Sequence, residues 1–205
     1  MKEFIETSNL KFTFGSCSNC EANCCNGLRG TTYSQILKEE FVKIYKNFPI
    51  LFIFGDLGFI KPVIILTNGK DYCPYQKNQR CTIYEDRPTV CRTYPLSPNL
   101  DNNIYVDSSC PQINQSSNVL VENNRIFDDS YKNEIFNNYQ EKYINTHFEF
   151  ENLKKEDFKN ILKIRNMDFY IYTGQSSSEY LKMHKESIEN LKNLISKKET
   201  DFIKF

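Results

Sequence analysis

The sequence lacks a net charge and lacks any long hydrophobic run. Its 26 Lys and Arg residues balance its 26 Asp and Glu residues, so no overall electrostatic field attracts the chain to nucleic acid or to anionic lipid. The longest strongly apolar stretches, residues 48–54 and 63–66, are far shorter than the roughly 20 residues that span a bilayer. We therefore expect neither a nucleic-acid partner nor a membrane span.

Targeting signals and common enzyme motifs are missing as well. The first 15 residues mix acids, amides and aromatics, without the apolar core and cleavage site of a secretory signal peptide. We therefore expect a cytoplasmic protein in a reducing compartment. The sequence contains no GxGxxG, GxxxxGK[ST], HExxH or GxSxG motif. It leaves open whether the protein is an enzyme.

No cysteine follows residue 110, and all eight cysteines lie within residues 1–110. This asymmetry predicts a division into a cysteine-cluster metal-binding core, residues 1–112, and an extension, residues 113–205, after a polar, amide-rich segment that begins near residue 112. Eight cysteines in 205 residues are about 4%, below the roughly 8 to 10% typical of small disulfide scaffolds. Thiols stay reduced in the cytosol, so metal chelation is favoured over a disulfide framework.

Hydrophobic periodicity predicts an α+β fold. Apolar residues recur at helical spacing over residues 33–47, and Pro49 ends the pattern. β-branched and aromatic clusters predict short strands within residues 50–84. In the cysteine-free part, apolar stripes over residues 131–143, 158–162 and 181–195 predict three helices. The expected architecture is a small, metal-stapled core with short strands and one helix, followed by a helical C-terminal extension.

The cysteines fall into two blocks, and we expect all eight to be candidate metal ligands. The blocks are Cys17-x2-Cys20-x3-Cys24-Cys25 and Cys73-x7-Cys81-x9-Cys91-x18-Cys110. A CxxC step lets two thiolates reach one metal, so Cys17 and Cys20 are the most secure pair. Neighbouring side chains diverge, which leaves open whether Cys24 or Cys25 serves a second metal, a bridging position or packing.

The first block holds no second CxxC, so at least one ligand should come from the second block. We expect the metal to staple residues 17–25 to residues 73–110. The two histidines, His147 and His184, lie in the cysteine-free region, and His184 sits on an apolar helical stripe. Neither histidine is expected to be a ligand.

The two cysteine blocks, with the string Arg87-Pro88-x-x-Cys91-Arg92-x-Tyr94-Pro95, resemble the YkgJ-type CxxCxxxCC cysteine-cluster family. The likeness covers residues 15–111. Members are described as chelating zinc or iron, and some are labelled iron–sulfur proteins. A related module occurs in flagellin lysine N-methylases. The resemblance therefore implies metal binding, and as an alternative S-adenosylmethionine-linked protein lysine methylation.

Arg87 and Arg92 have two interpretations. Guanidinium groups offset the negative charge of a tetrathiolate site, and they bind carboxylates or phosphates of a cofactor in a bidentate manner. Alternatively, they pair with Glu85 or Asp86, or donate to loop carbonyls. We interpret Tyr84 and Tyr94 as packing residues.

Four thiolates suit zinc and iron–sulfur clusters alike. The long, uneven spacings, the adjacent cysteine pair and the family label favour an iron–sulfur cluster, a [4Fe–4S] cluster first, over zinc. The expected function is that of a cytosolic metal-chelating protein. The alternatives are the methylase-like enzyme and a zinc-stapled module that binds an unknown protein partner.

Overall fold

The computed structural model describes residues 2–194, without the side chains of residues 19 and 57. The fold is α+β, as predicted. The elements in chain order are β1 (Phe4–Glu6), β2 (Lys11–Thr13), β3 (Tyr33–Gln35), α1 (Phe41–Ile44), β4 (Ile50–Phe54), β5 (Ile60–Ile65), β6 (Gln76–Lys77), β7 (Arg80–Cys81), α2 (Thr89–Thr93), β8 (Leu96–Pro98), β9 (Ile104–Asp107), β10 (Val119–Glu122), β11 (Arg125–Ile126), α3 (Tyr139–Phe150), β12 (Phe158–Ile164), β13 (Met167–Tyr172), α4 (Glu179–Ser187) and α5 (Leu191–Leu194).

The chain forms two compact units, and each is built from two separate segments. The first unit comprises Met1–Cys24 and Gln76–Tyr143, and the second comprises Cys25–Tyr75 and Ile144–Phe205. The division at residue 112 into a metal-binding core and an extension stays a prediction. Segments on both sides of that position join each unit, because strands far apart in sequence pair with one another.

The first unit contains two three-stranded antiparallel sheets, ordered β1-β9-β8 and β11-β10-β2, and the hairpin β6-β7. Ile5 lies opposite Val106, and Phe12 lies opposite Val121. Apolar side chains from both sheets share one core, and the buried Cys110 belongs to it. The core thus reaches one of the predicted metal ligands.

The second unit is organised around a five-stranded antiparallel sheet, ordered β12-β13-β4-β5-β3. Residues Ile50–Ile53 of β4 are all buried, because both faces of this central strand are covered. On one face, Leu51 and Ile53 join an aliphatic core. On the other face, Phe52 contacts Phe150 of α3 and His184 of α4 through edge-on ring contacts. A strand covered on both faces is read from sequence as a continuous apolar run rather than as an alternation.

Two of the predicted helices are wrong or too long. Within residues 33–47 only Phe41–Ile44 is α-helical, and Tyr33–Gln35 is a strand that pairs with Val63–Ile65. Residues 158–164 form β12 instead of a helix. The register of β12 shifts between Asn160 and Leu162, and such a bulge breaks strand alternation. Apolar residues then fall at 158, 161, 162 and 164, a spacing that imitates a helix.

The helix predicted over residues 131–143 overlaps α3 only at residues 139–143, because the chain before Tyr139 contains a 3₁₀ turn, Glu134–Phe136. The helical segment at 179–194 agrees with the prediction, although a 3₁₀ turn, Ile188–Asn190, separates α4 from α5. Ile195, at the end of the third predicted stripe, lies outside the described residues. Within residues 2–194, no helix combines the length and the hydrophobicity that a membrane crossing requires.

Candidate metal centre

A tight turn holds the first two cysteines. Cys17–Asn19 is a 3₁₀ helix, and the Cys20 N–H donates to the Cys17 carbonyl at 3.2 Å. The hydroxyl of Ser16 accepts from the Ser18 N–H at 3.1 Å and so caps the turn. The CxxC step therefore adopts the compact turn that two ligands of one metal require.

Backbone pairing brings Cys110 to this turn. Phe14 forms an antiparallel bridge with Ile113, and the Gly15 N–H donates to the Gln112 carbonyl at 2.9 Å. The Ser16 N–H donates to Gln112 Oε1 at 3.1 Å. Since these contacts join residues 14–16 to residues 112–113, a cysteine from the second block lies beside the CxxC turn.

Four thiols interact electrostatically at this place: Cys17, Cys20, Cys24 and Cys110. We call them the cysteine quartet. Burial of the thiol is the largest cause that raises the pKa of Cys17, although the residue as a whole is exposed, and repulsion from the thiolates of Cys24, Cys20 and Cys110 raises it further. Clustered thiolates that repel one another are stabilised when a cation neutralises them.

Cys110 shows the same pattern with added hydrogen bonds. Burial raises the pKa of its thiol, and repulsion from Cys20 and Cys24 adds to the increase. The backbone N–H of Gln112 and the hydroxyl of Tyr94 donate to the sulfur and act in the opposite direction. These donors favour the thiolate, the form that binds metal.

Two tyrosines accompany the quartet. The hydroxyl of Tyr131 is hydrogen-bonded to Cys17, and that of Tyr94 is shared between Cys110 and Asp107. Burial, with the negative charges of Cys17 and Cys110 next, raises the pKa of both hydroxyls well above their usual range. Both tyrosines stay protonated and remain donors. Tyr94 is therefore more than the packing residue that the sequence suggested, and Tyr131, 21 positions beyond Cys110, carried no local signal of its role.

Asp107 anchors the segment that carries Cys110. Its side chain is fully buried, accepts from Ser109 Oγ at 2.5 Å and from the Ser109 N–H at 3.1 Å, and lies 3.3 Å from Lys2 Nζ. Burial alone would raise the pKa of this carboxyl, but the Ser109 hydrogen bonds and the Lys2 charge lower it. The Cys110 N–H donates to the Asp107 carbonyl at 3.1 Å. A charged Asp107, held by Ser109 and Lys2, thus fixes the turn that presents Cys110.

The quartet thiols do not converge to coordination distance in the metal-free geometry. Across residues 2–194, no three or more His, Cys, Asp or Glu side chains are arranged to hold a metal ion as they stand. Coulombic repulsion acts over longer distances than a metal–sulfur bond of about 2.3 Å. The quartet thiols therefore interact over a distance longer than a metal–sulfur bond.

Other elements carry the remaining four cysteines. In the second unit, the Cys73 N–H donates to the Cys25 carbonyl at 2.8 Å, next to a bridge between Asn26 and Tyr72. In the first unit, Cys81 ends β7, and Cys91 lies in α2. The adjacent residues Cys24 and Cys25 thus have different neighbours, one in the quartet and the other beside Cys73.

Gly27 allows the backbone of the Cys25 segment to lie against residues 70–71. A Cβ atom at Gly27 would meet the backbone carbonyl of Asp71, and would come within 2.7 Å of the Lys70 nitrogen. The Gly27 N–H instead donates to the Asp71 carbonyl at 2.9 Å. The turn-forming residues after the cysteine motif therefore serve close backbone packing.

Arg165, the residue that follows β12, binds the same segment. Its Nη2 atom donates to the Gly27 carbonyl at 2.6 Å and to the Leu28 carbonyl at 3.0 Å. We expect Arg165→Ala to cost about 1–2 kcal/mol, since two charge-assisted hydrogen bonds at a partly exposed site are lost. Hydrogen exchange should become faster at residues 26–30. Arg125→Ala, an exposed arginine of the other unit, serves as the control, and unchanged exchange at residues 26–30 in Arg165→Ala would contradict this role.

Of the two readings of Arg87 and Arg92, the structure shows carbonyl contacts for Arg92. Its Nε donates to the Arg87 carbonyl at 2.9 Å, and its Nη2 donates to the Glu85 carbonyl. Arg87 lies over the ring of Tyr84 at 3.5 Å. In the described part of the chain, neither guanidinium forms an ion pair with Glu85 or Asp86.

Comparison with known proteins agrees with the cysteine pattern. Residues 16–111 match the sequence model of the CxxCxxCC family, described as "Putative zinc- or iron-chelating domain". The model that this stretch of the chain matches is that of the family which the resemblance predicted. Three residues separate Cys20 from Cys24, one more than the family's name spells out. No curated protein and no solved structure matches the chain.

Proposed function

We propose that this protein binds a metal centre through the four thiolates of the cysteine quartet, and that the centre is an iron–sulfur cluster. The observation that carries the proposal is the mutual electrostatic interaction of the quartet thiols, one of which, Cys110, comes from the second cysteine block. Residues 16–111 match the model of a zinc- or iron-chelating family, which supports a metal as the partner of these thiols.

Residues around the quartet would hold the centre in place. The turn that Ser16 caps positions Cys17 and Cys20, and the buried Asp107 positions Cys110. The hydroxyls of Tyr131 and Tyr94 and the Gln112 N–H donate to ligand sulfurs. Such donors orient thiolates and tune the potential of a bound centre. When bound, an iron–sulfur cluster supplies one-electron redox chemistry.

Zinc is the competing occupant. A single zinc requires four sulfurs at about 2.3 Å from one point, whereas a cluster places a larger inorganic core between its ligands. The unequal spacings of the quartet, which run from 17 to 24 and then to 110, differ from the paired CxxC steps of structural zinc sites and support the larger occupant.

The deciding experiment is metal and sulfide analysis of protein purified without oxygen, together with a visible spectrum. Iron with equimolar acid-labile sulfide and a broad visible absorption would support the cluster. A colourless protein with stoichiometric zinc would retain quartet chelation and overturn the cluster. Metal-free protein that takes up neither zinc nor a reconstituted cluster would overturn both.

Replacement of Tyr131 should weaken the centre without abolishing it. Tyr131→Phe removes the hydrogen bond to Cys17 and keeps the ring, so metal affinity should fall about 10- to 100-fold, the usual cost of an outer-shell partner. Chelator competition measures this affinity. Tyr105→Phe, a tyrosine whose hydroxyl is bonded to Asp101, is the matched control, and equal affinities for the two variants would refute a role of Tyr131 at the centre.

A further inference from the structure

A small pocket of the first unit is lined by more cationic than anionic side chains. Its volume is about 110 Å³, and its lining consists of Tyr84, Glu85, Arg87, Arg92, Ser130, Tyr131, Lys132 and Asn133. Three of these side chains are cationic and one is anionic. The lining is therefore rich in hydrogen-bond donors and carries an excess of positive charge.

Arg87 carries an unused donor in this pocket. Its Nε atom is buried and has no hydrogen-bond partner, an arrangement that costs free energy unless a ligand or water accepts the bond. The guanidinium is stacked at 3.5 Å over the ring of Tyr84, which fixes its plane. A fixed guanidinium plane is suited to bidentate binding of a carboxylate or phosphate group.

The other donors are held in place by their own contacts. Arg92 is bound to the carbonyls of Arg87 and Glu85. The Ser130 hydroxyl donates to Asp128 at 2.6 Å, and Lys132 Nζ lies 2.5 Å from Asp129. Because Asp129 offsets the charge of Lys132, the two arginines face a single carboxylate of the lining, Glu85, and supply the excess positive charge of the pocket.

The size of the pocket limits what it can hold. Cofactor-sized ligands occupy about 300–1,000 Å³, so a pocket of about 110 Å³ cannot enclose S-adenosylmethionine. A single phosphate or carboxylate group fits. We therefore expect Arg87 and Arg92 to bind only the anionic group of a ligand, and not a whole cofactor as the sequence suggested.

We propose that Arg87 and Arg92 form a binding site for a small oxyanion, the phosphate or carboxylate group of a ligand. The site adjoins the quartet, because Tyr131 lines the pocket and is hydrogen-bonded to Cys17. A ligand anchored there by its anionic group would lie next to the cysteine cluster. The anion site itself does not depend on which metal the quartet holds.

Inorganic phosphate and acetate are the probes. Calorimetric and NMR titrations of the protein as purified should show saturable binding with a Kd on the order of 1 mM. Amide shifts should change at residues 130–133. Stronger binding of phosphate would identify a phosphate source for the ligand, and stronger binding of acetate a carboxylate source.

Charge-matched variants decide the site. Arg87→Gln and Arg92→Gln should each weaken binding about tenfold or more, while Arg125→Gln, which removes the same charge elsewhere in the unit, should leave it unchanged. Arg87→Lys keeps the positive charge but loses the bidentate donor geometry of the guanidinium, so this variant should also bind the anion weakly. Circular dichroism confirms that each variant is folded. Absence of saturable binding, or equal weakening in Arg125→Gln, would overturn the site, whereas metal analysis of the same samples separately reports on the quartet.

Discussion

Serine variants of the quartet should lose the metal centre. Cys17→Ser, Cys20→Ser, Cys24→Ser and Cys110→Ser each remove one thiolate from a four-thiolate set, and a hydroxyl is a poor replacement at neutral pH. We expect the bound metal to fall below about a tenth of the wild-type content, since structural tetrathiolate sites bind with about 10–16 kcal/mol in apparent free energy.

The combination of variants tests whether the four residues serve one centre. If they do, Cys20→Ser with Cys110→Ser should lose no more metal than either single variant, because residues that act as one unit are not additive. Metal content is measured by elemental analysis and by the visible spectrum. Additive losses in the double variant would show that the two cysteines hold different metals.

Cys25→Ser is the sharpest control, since it lies next to Cys24 in the chain. Cys24 interacts with the quartet, whereas the backbone of Cys25 pairs with Cys73. We therefore expect Cys25→Ser to retain the centre that Cys24→Ser loses. If Cys25 serves a separate metal, the combination Cys20→Ser with Cys25→Ser should lose more metal than Cys20→Ser alone. Retention in Cys24→Ser with loss in Cys25→Ser would reverse our assignment.

Removal of the metal by an added chelator should also destabilise the segments that carry the quartet. In the first unit, residues 14–16 and 110–113 are joined by a few backbone hydrogen bonds, and a metal that binds only the folded form adds its binding free energy to folding. Hydrogen exchange after metal removal should accelerate first at these residues. We therefore expect the metal to stabilise mainly the contact between these two segments, which are distant in the sequence.

Local chemistry explains which parts of the site could be predicted from sequence. A CxxC step between turn-forming residues is a local signal, and it predicted the capped turn at Cys17 and Cys20. The expectation of a ligand from the second block followed from counting the first block and stays a prediction, and Cys110 is the cysteine of the second block that lies beside the turn. Nothing local could select Cys110 over Cys73, Cys81 or Cys91, because that choice depends on the pairing of Phe14 with Ile113.

Tertiary pairing also decided the errors in secondary structure. Tyr33–Gln35 directly precedes the helical apolar pattern that begins at Ile36, but it forms an edge strand because it pairs with β5. The bulge in β12 shifts Ile161 and Leu162 so that their spacing imitates a helix. In both places long-range hydrogen bonding overrides a local preference that is worth less than about 1 kcal/mol per residue.

The buried His184 gives the second unit a defined response to acid. Its Nδ1 lies 2.7 Å from the Ile50 carbonyl, and its Nε2 lies 3.0 Å from the Tyr172 nitrogen. A carbonyl can only accept and a backbone N–H can only donate, so Nδ1 carries the proton and Nε2 is the acceptor. Burial lowers the pKa of His184 to about 4, and the Lys185 charge contributes, although the Ile50 hydrogen bond acts against them. A second proton would have to be placed on Nε2, against the Tyr172 N–H.

We expect this histidine to lower stability as the pH falls from about 6.5 to about 4. A folded-state pKa below the unfolded value means that the stabilisation is complete above the unfolded pKa and is lost on acidification towards the folded pKa. The two values correspond to about 3 kcal/mol. Urea unfolding at several pH values measures this loss.

His184→Gln separates the histidine from the carboxylates that titrate in the same range. At pH 7 the variant should be less stable by about 1–3 kcal/mol, because a glutamine cannot keep both buried hydrogen bonds. Its stability should then change less with pH, so that the gap to the wild type narrows as the buffer becomes more acidic. His147→Gln changes the chain's other histidine, which packs edge-on against Phe59, and should follow the wild-type curve. Parallel curves for the wild type and His184→Gln would mean that His184 gains its proton as easily in the folded chain as in the unfolded one, which its two opposed hydrogen-bond partners do not allow.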